Sequence, residues 1–425
     1  MERNSEIYKA YLEILNKELV PAMGCTEPIA VAYCAAKARE ALGCLPDRVE
    51  LEVSGNIIKN VKSVVVPNTG GMRGMAAAAA IGIVAGDADK ELEVVSQVTP
   101  EQIRQLKDYM QQAEITMKQA DSDLLLDIGV RVSKGGDWAK VRIINHHTGI
   151  ALIEKNGEVL FRAKPEDPAQ EAGVDYDLLT IEQIYDFAQS LDIEDVRELF
   201  DRQLRCNSAI SQEGLRGDYG ANVGRTILKT QPDNVRTRAR AKAAAGSDAR
   251  MNGCELPVVI NSGSGNQGIT VSLPVLEYAQ ELGATEEQLY RALAISNLTA
   301  VHLKSGIGRL SAYCGAISAG VSAGAAICYL QGGDLRSVSH TIVNALAISS
   351  GIICDGAKAS CAAKISVAVD AGIFGYEMFQ NGQQFYSGDG IVTKGVENTI
   401  RNVAVLGKEG MYETDKTILS IMTRC

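Results

Sequence analysis

The stretch Gly351-Ile-Ile-Cys354-Asp355-Gly356-Ala-Lys358-Ala-Ser360-Cys361-Ala-Ala-Lys364 places two cysteines on either side of a glycine-broken polar loop, between two apolar runs of helical character. Were residues 354–361 one continuous helix, the two thiols would stand about 10 Å apart along its axis, too far for one zinc ion. Gly351 suits a helix stop, Gly356 permits a turn that brings the thiols back together, and Ser360 can cap the helix that follows. The loop then reads as a metal or cluster holder. Two buried cysteines packing as small hydrophobes is the other reading it allows.

A third cysteine has a related setting. In His302-Leu-Lys304-Ser305-Gly306-Ile-Gly308-Arg309-Leu-Ser311-Ala-Tyr313-Cys314-Gly315, Cys314 is followed by glycine at the head of an apolar helix, while Cys328, well inside that helix, reads as packing. Cys314, Cys354 and Cys361 together offer three thiols beside small residues. Three thiolates and one vacant position describe a cluster that binds substrate rather than one that only carries electrons. A four-cysteine zinc site including Cys25 is the rival, although the chain lacks the usual closely spaced cysteine knuckles.

Composition narrows the classes. The chain has 425 residues, 46% hydrophobic and 22% charged, enough for two or three domains with a sizeable core. A formal net charge of -10 argues against a nucleic-acid or anionic-membrane surface and for a small-molecule ligand. The start, Met-Glu-Arg-Asn-Ser-Glu-Ile, lacks a signal-peptide pattern, so a cytoplasmic protein is expected, in which the ten cysteines serve as ligands, reactive thiols or core filler rather than disulfides. Aromatics are few and Gly and Ala abundant, which favours close helix packing. The nearly uncharged runs 75–86, 311–330 and 341–354 are expected to be buried helices, too weakly apolar to span a membrane.

Taken in order, residues 5–19 have helical spacing, Pro21 to Pro28 interrupts it, and a second helix follows over about 29–42. Thr26 can cap that helix and Pro28 suits its first turn, so Cys25 lies at or just before a helix N-terminus, a position that lowers a thiol's pKa. Cys34 and Cys44 are expected to pack. Strict alternation over Val49–Val53 and β-branched residues over Val61–Val66 predict strands flanking a turn at Ser54-Gly55-Asn56. The turn Pro67-Asn68-Thr69-Gly70-Gly71-Met72-Arg73-Gly74 then leads into the Ala-rich helix. Its N–H groups could meet an anion, with Arg73 adding charge, or it could be a plain connection.

A helix over 100–113 and strands near 124–132, 140–145, 149–154 and 158–161 complete an α+β block over 46–165. His146-His147 reads as surface turn residues, since neighbours on a strand point to opposite faces. Residues 162–176 look like a linker, and helical periodicity dominates beyond it. The expected organisation is N-terminal helices carrying Cys25 over 1–45 and packing on the helical domain, the α+β domain over 46–165, and a helical domain over 176–425. Asn261-Ser262-Gly263-Ser264-Gly265-Asn266-Gln267-Gly268 formally contains Gly-x-Gly-x-x-Gly, but the strand, helix, strand context of a dinucleotide site is missing. A loop holding a small carboxylate through Ser262, Ser264, Asn266 and its N–H groups is the better reading. Cys254, just upstream, is expected to pack.

The combination of Gly24-Cys-Thr-Glu-Pro28, Asn261-Ser-Gly-Ser-Gly-Asn266, Ser311-Ala-Tyr-Cys-Gly315 and Ile353-Cys-Asp-Gly-Ala-Lys-Ala-Ser-Cys361 resembles the L-cysteine desulfidase family over nearly the whole chain. The helical part is similar to the α-chain of iron-sulfur-dependent L-serine dehydratases. The resemblance implies a pyridoxal-free lyase with an oxygen-sensitive [4Fe-4S] cluster, converting L-cysteine to pyruvate, ammonia and sulfide. By match, Cys314, Cys354 and Cys361 would be the cluster ligands and Cys25 the catalytic base, with Asn68, Thr69, Gly70, Ser262, Ser264 and Asn266 the candidates for substrate binding. Serine dehydratases carry Cys-Asp-Pro and a wider gap, whereas here Cys-Asp-Gly opens a gap of six residues. Cys425 could fold back onto the fourth iron. A small amino-acid substrate and a homodimer are expected, without nucleic acid or membrane. Serine or threonine dehydration by the same cluster, and a non-enzymatic iron-sulfur redox sensor, are the alternatives.

Overall fold

A computed structural model describes residues 1–164, 174–308 and 310–424, and its architecture is α+β. The chain opens with α1 (Glu6–Glu18), β1 (Pro21–Met23), α2 (Thr26–Leu42), β2 (Arg48–Val53), α3 (Gly55–Val61), α4 (Gly74–Ala85) and α5 (Pro100–Gln112). Strands β3 (Glu114–Gln119), β4 (Asp127–Lys134), β5 (Asp137–Ile144), β6 (Ile150–Lys155) and β7 (Glu158–Arg162) join β2 in a sheet of order β3-β2-β4-β5-β6-β7. β2 and β3 run parallel, and the remaining neighbours antiparallel. The period-2 pattern decides which face is covered. Val49, Leu51 and Val53 stand opposite Val132, Val130 and Ile128, all fully buried, and α2 lies across that face with Cys34 packed against the β4 and β5 backbone.

Helices make up most of the second half: α6 (Ile181–Ser190), α7 (Arg197–Arg216), α8 (Val223–Thr230) and α9 (Val235–Met251). After the short β8 (Pro257–Val259) come α10 (Gly265–Leu282), α11 (Glu286–Ile307), α12 (Gly315–Leu330) and α13 (Leu335–Ser349). The chain then runs through α14 (Cys361–Gln380), α15 (Val396–Val405) and α16 (Tyr412–Thr423). The apolar run of α12 is buried on all sides, surrounded by α10, α11, α13 and α14. Such a helix is apolar all round because no face meets water. Among the described residues no helix is long and apolar enough to cross a membrane.

Of the N-terminal segment, α1 sets Tyr8 and Tyr11 against Phe187 of α6, whereas α2 belongs with the sheet and α4. Several expectations need correction. Gly55–Val61 is a helix capped at Ser54, not the turn of a strand pair, and 61–66 keeps only an isolated bridge between Val65 and Arg73. Both edges of β2 are taken by β3 and β4, and Ile57, Ile58 and Val61 have the spacing of a buried helical face. Cys44 is exposed, because Gly43 ends α2 in the left-handed conformation and turns the chain out of the core. His147 is buried rather than a surface turn residue. Most of the segment expected as a linker, residues 165–173, and Cys425 lie outside the described residues.

Candidate functional site

Four helix N-termini converge on one cavity. Cys25 is the N-cap residue of α2, Ser264 that of α10 and Cys314 that of α12, while Cys361 is the first residue of α14. With Cys354 and Asn266 these residues line a single cavity of about 100 Å³. Two small pairings of backbone hold the ends together. β1 runs antiparallel to β8, pairing Met23 with Pro257, so the chain leaves β1 into Cys25 beside the point where β8 leads into the 261–264 turn. Thr26 Oγ1 donates to Gly263 O at 3.0 Å and fixes that contact. A bridge between Tyr313 and Ile353 does the same for the other cysteines, with Cys314 N–H donating to Ile352 O at 3.2 Å and Cys354 N–H to Ala312 O at 2.6 Å. Gly356, at φ +93°, turns the loop back so that Cys361 returns to the cavity.

The electrostatics follow from this crowding. Burial, and then the neighbouring Cys354 and Cys361 thiols, push the Cys314 thiol up; burial raises the Cys361 thiol too. Metal-free, such thiols hold their protons, and a bound metal would draw them off as thiolates. Partial positive charge at the N-termini of α12 and α14 favours that anionic state. Among the described residues no three His, Cys, Asp or Glu side chains close on one point as a single ion asks. Thiols placed around a cavity instead suit a group in which each bonds its own metal atom. Asp355 braces the loop: burial opposes its charge, but the Lys358 and Lys364 ammonium groups hold its carboxyl down at about 2. Lys59, fully buried, ties the Cys354 carbonyl at 3.5 Å to Asp415 of α16.

Cys25 differs from its expected state. Burial pushes its thiol well above the ordinary value and the charge of Glu27 adds to this, against the opposing pull of Arg250. The helix N-terminus is outweighed. Cys25 Sγ donates to Glu27 Oε2 at 3.1 Å, and Glu27 Oε1 accepts from Asn60 at 3.3 Å and faces His147 Nε2 at 3.9 Å. Burial works against the Glu27 charge, yet His147 and the Cys25 thiol outweigh it and hold its carboxyl down at about 2. The cavity thus holds a protonated thiol hydrogen-bonded to a carboxylate that stays charged.

Ser264 and Asn266 line this cavity, whereas Ser262 lines a neighbouring one that shares Lys304 and Leu310 with it. Asn68, Thr69 and Gly70 are not among the lining residues. Asn68 Nδ2 donates to Val95 O at 2.6 Å, Thr69 Oγ1 to Val66 O at 2.7 Å, and Arg73 Nη1 to Ser63 O at 2.5 Å, so these side chains serve backbone carbonyls around the turn. Sequence reasoning missed Glu27, Lys59, Arg250 and Gln267, all at the cavity. For Arg250 a signal was present: it continues the buried stripe Ala239, Ala243, Gly246 of α9 at helical spacing, where a guanidinium is out of place without a purpose.

The α+β fold with a helical bundle, and cysteines at helix N-termini around one cavity, define a protein with a thiol-lined candidate site. The Serine dehydratase alpha chain family model matches residues 89–420, and the chain belongs to that family. It is 59% identical over 422 residues to a UPF0597 protein of Desulfitobacterium hafniense, covering 99% of this chain and 98% of the relative. A UPF0597 protein of Lachnoclostridium phytofermentans is 53% identical over 98% of this chain and all of its own length, and one of Treponema denticola 46% identical over the whole of both. The protein is therefore serine-dehydratase-like, and the family points to a lyase.

Proposed function

We propose that the protein is a [4Fe-4S]-dependent, pyridoxal-independent lyase that cleaves L-cysteine to pyruvate, ammonia and hydrogen sulfide. The observation that carries this reading is the meeting of Cys314, Cys354 and Cys361 with Cys25 across one buried cavity. The three thiols suit the cluster, which when bound would supply a Lewis-acidic iron for the substrate sulfur. The chain's own residues do the rest. The N-terminus of α10, with Ser264 and Asn266, offers N–H and side-chain groups to the substrate carboxylate and so fixes Cα relative to Cys25.

Cys25 is the base in this reading, and it must first lose its own proton. Glu27 Oε2, 3.1 Å away, accepts the thiol's hydrogen bond and holds Sγ in place, but a carboxyl held down at about 2 is too weak a base to keep that proton. The nearby Arg250 guanidinium is what favours the thiolate. Removal of the Cα proton and loss of sulfide leave aminoacrylate, which tautomerises to the imine and takes up one water to give pyruvate and ammonia. L-Serine dehydration is the second reading, favoured by the matched family's own name. Anaerobic assay of protein rebuilt with iron and sulfide, using L-cysteine and L-serine in parallel without pyridoxal phosphate, separates the two. Sulfide and pyruvate from cysteine alone support the first, and pyruvate from serine alone supports the second.

A further inference from the structure

At the cavity wall two buried polar side chains each carry an unpaired polar atom. Arg250, near the end of α9, is 2% exposed, and its guanidinium makes one hydrogen bond, from Nη1 to Asn266 Oδ1 at 3.2 Å; its Nε has none. Among the described residues no carboxylate lies within 4.0 Å of it. Gln267, in the first turn of α10, is 3% exposed, and its carboxamide makes no hydrogen bond among the described residues, its Oε1 being buried and unpaired. Arginine stays charged in proteins, and a buried charge without a partner costs several kcal/mol in general. Such a pair persists where a ligand completes it.

The backbone has made room for both groups. A Cβ on Gly265, the first residue of α10, would come within 2.3 Å of Arg250 Nε, and one on Gly315, the first residue of α12, within 2.8 Å of the Gln267 carboxamide. The guanidinium therefore lies over the head of α10, and the carboxamide between that head and the residue after Cys314. Lys59, another cation at this cavity, already serves Asp415. We infer that Arg250 grips the α-carboxylate of the amino-acid substrate and Gln267 accepts from its α-ammonium group, so that the site selects a zwitterion rather than any thiol. This inference rests on the lyase reading for the substrate, and on geometry alone for the two groups.

Calorimetric binding to the full chain with its iron and sulfide restored tests it, using 3-mercaptopropionate, a thiol with a carboxylate, and cysteamine, a thiol with an ammonium group. Arg250→Gln is expected to weaken 3-mercaptopropionate by about thirty-fold or more and leave cysteamine within about three-fold, with iron content unchanged. Gln267→Leu is expected to do the reverse, weakening cysteamine by about ten-fold. Arg250→Lys, which keeps the charge and loses the fork, should fall between wild type and Arg250→Gln for 3-mercaptopropionate, and it serves if the glutamine variant does not fold. Equal weakening of both ligands, no weakening of either, or loss of iron from the Arg250 variants would overturn the inference. Because binding needs no turnover, a wild-type protein that prefers 3-mercaptopropionate but releases no sulfide from L-cysteine would refute cysteine cleavage and leave the carboxylate site standing.

Discussion

Two glycine-rich turns, 67–74 and 261–265, each deliver the chain into the head of a buried helix, and only one of them faces the cavity. In the first, Asn68, Thr69 and Arg73 all spend their donors on backbone carbonyls, and the helix it feeds, α4, packs against α2. In the second, the turn is closed by the reciprocal backbone bonds of Asn261 and Ser264, and Ser264, Asn266 and Gln267 line the cavity with the cysteines, Gln267 with its Oε1 unpaired. A helix N-terminus alone does not make a binding site. What separates the two is whether neighbouring side chains are already satisfied.

Substitutions sharpen or break this contrast. The largest effect is expected from Cys25→Ser, beside the second turn: sulfide release should fall by about 10²- to 10⁴-fold with iron content unchanged, as measured by sulfide assay and metal analysis. Activity within a few-fold of wild type would remove Cys25 from the chemistry. Next, Asn266→Ala should raise KM for L-cysteine by about three- to ten-fold, because it loses one polar contact and loosens Arg250. Asn68→Ala should do the opposite, lowering thermal stability by about 1–3 kcal/mol while leaving KM alone, because it strands the Val95 carbonyl and removes an asparagine suited to φ +57°. If Asn68→Ala raised KM without a loss of stability, the two turns would not differ in the way described. Smallest of all, Cys44→Ser, at an exposed site, should change neither turnover nor iron content.

Much of the fold was legible. The alternation of Val49, Leu51 and Val53 announces a half-buried strand, and the uncharged Ala and Gly runs announce helices with no wet face. Val61–Val66 misled because β-branched composition was read as a strand when both edges of β2 were already occupied by strands from elsewhere in the chain. The helix-head settings of Cys25 and Cys314 could be read locally, since capping is a short-range matter. The burial of His147 could not, for its partner Glu27 lies on another element. The protonated state of Cys25 was likewise hidden, because the sequence shows the helix N-terminus but not the desolvation that outweighs it.

The central claim is tested most directly by anaerobic L-cysteine turnover with protein rebuilt with iron and sulfide, without pyridoxal phosphate, beside Cys354→Ala prepared in the same way. Stoichiometric sulfide and pyruvate from the wild type, lost on exposure to air and absent from the variant together with its iron, is the predicted result. A Cys354→Ala protein that still cleaves cysteine at the wild-type rate, or a fully loaded wild type that cleaves nothing, would contradict it.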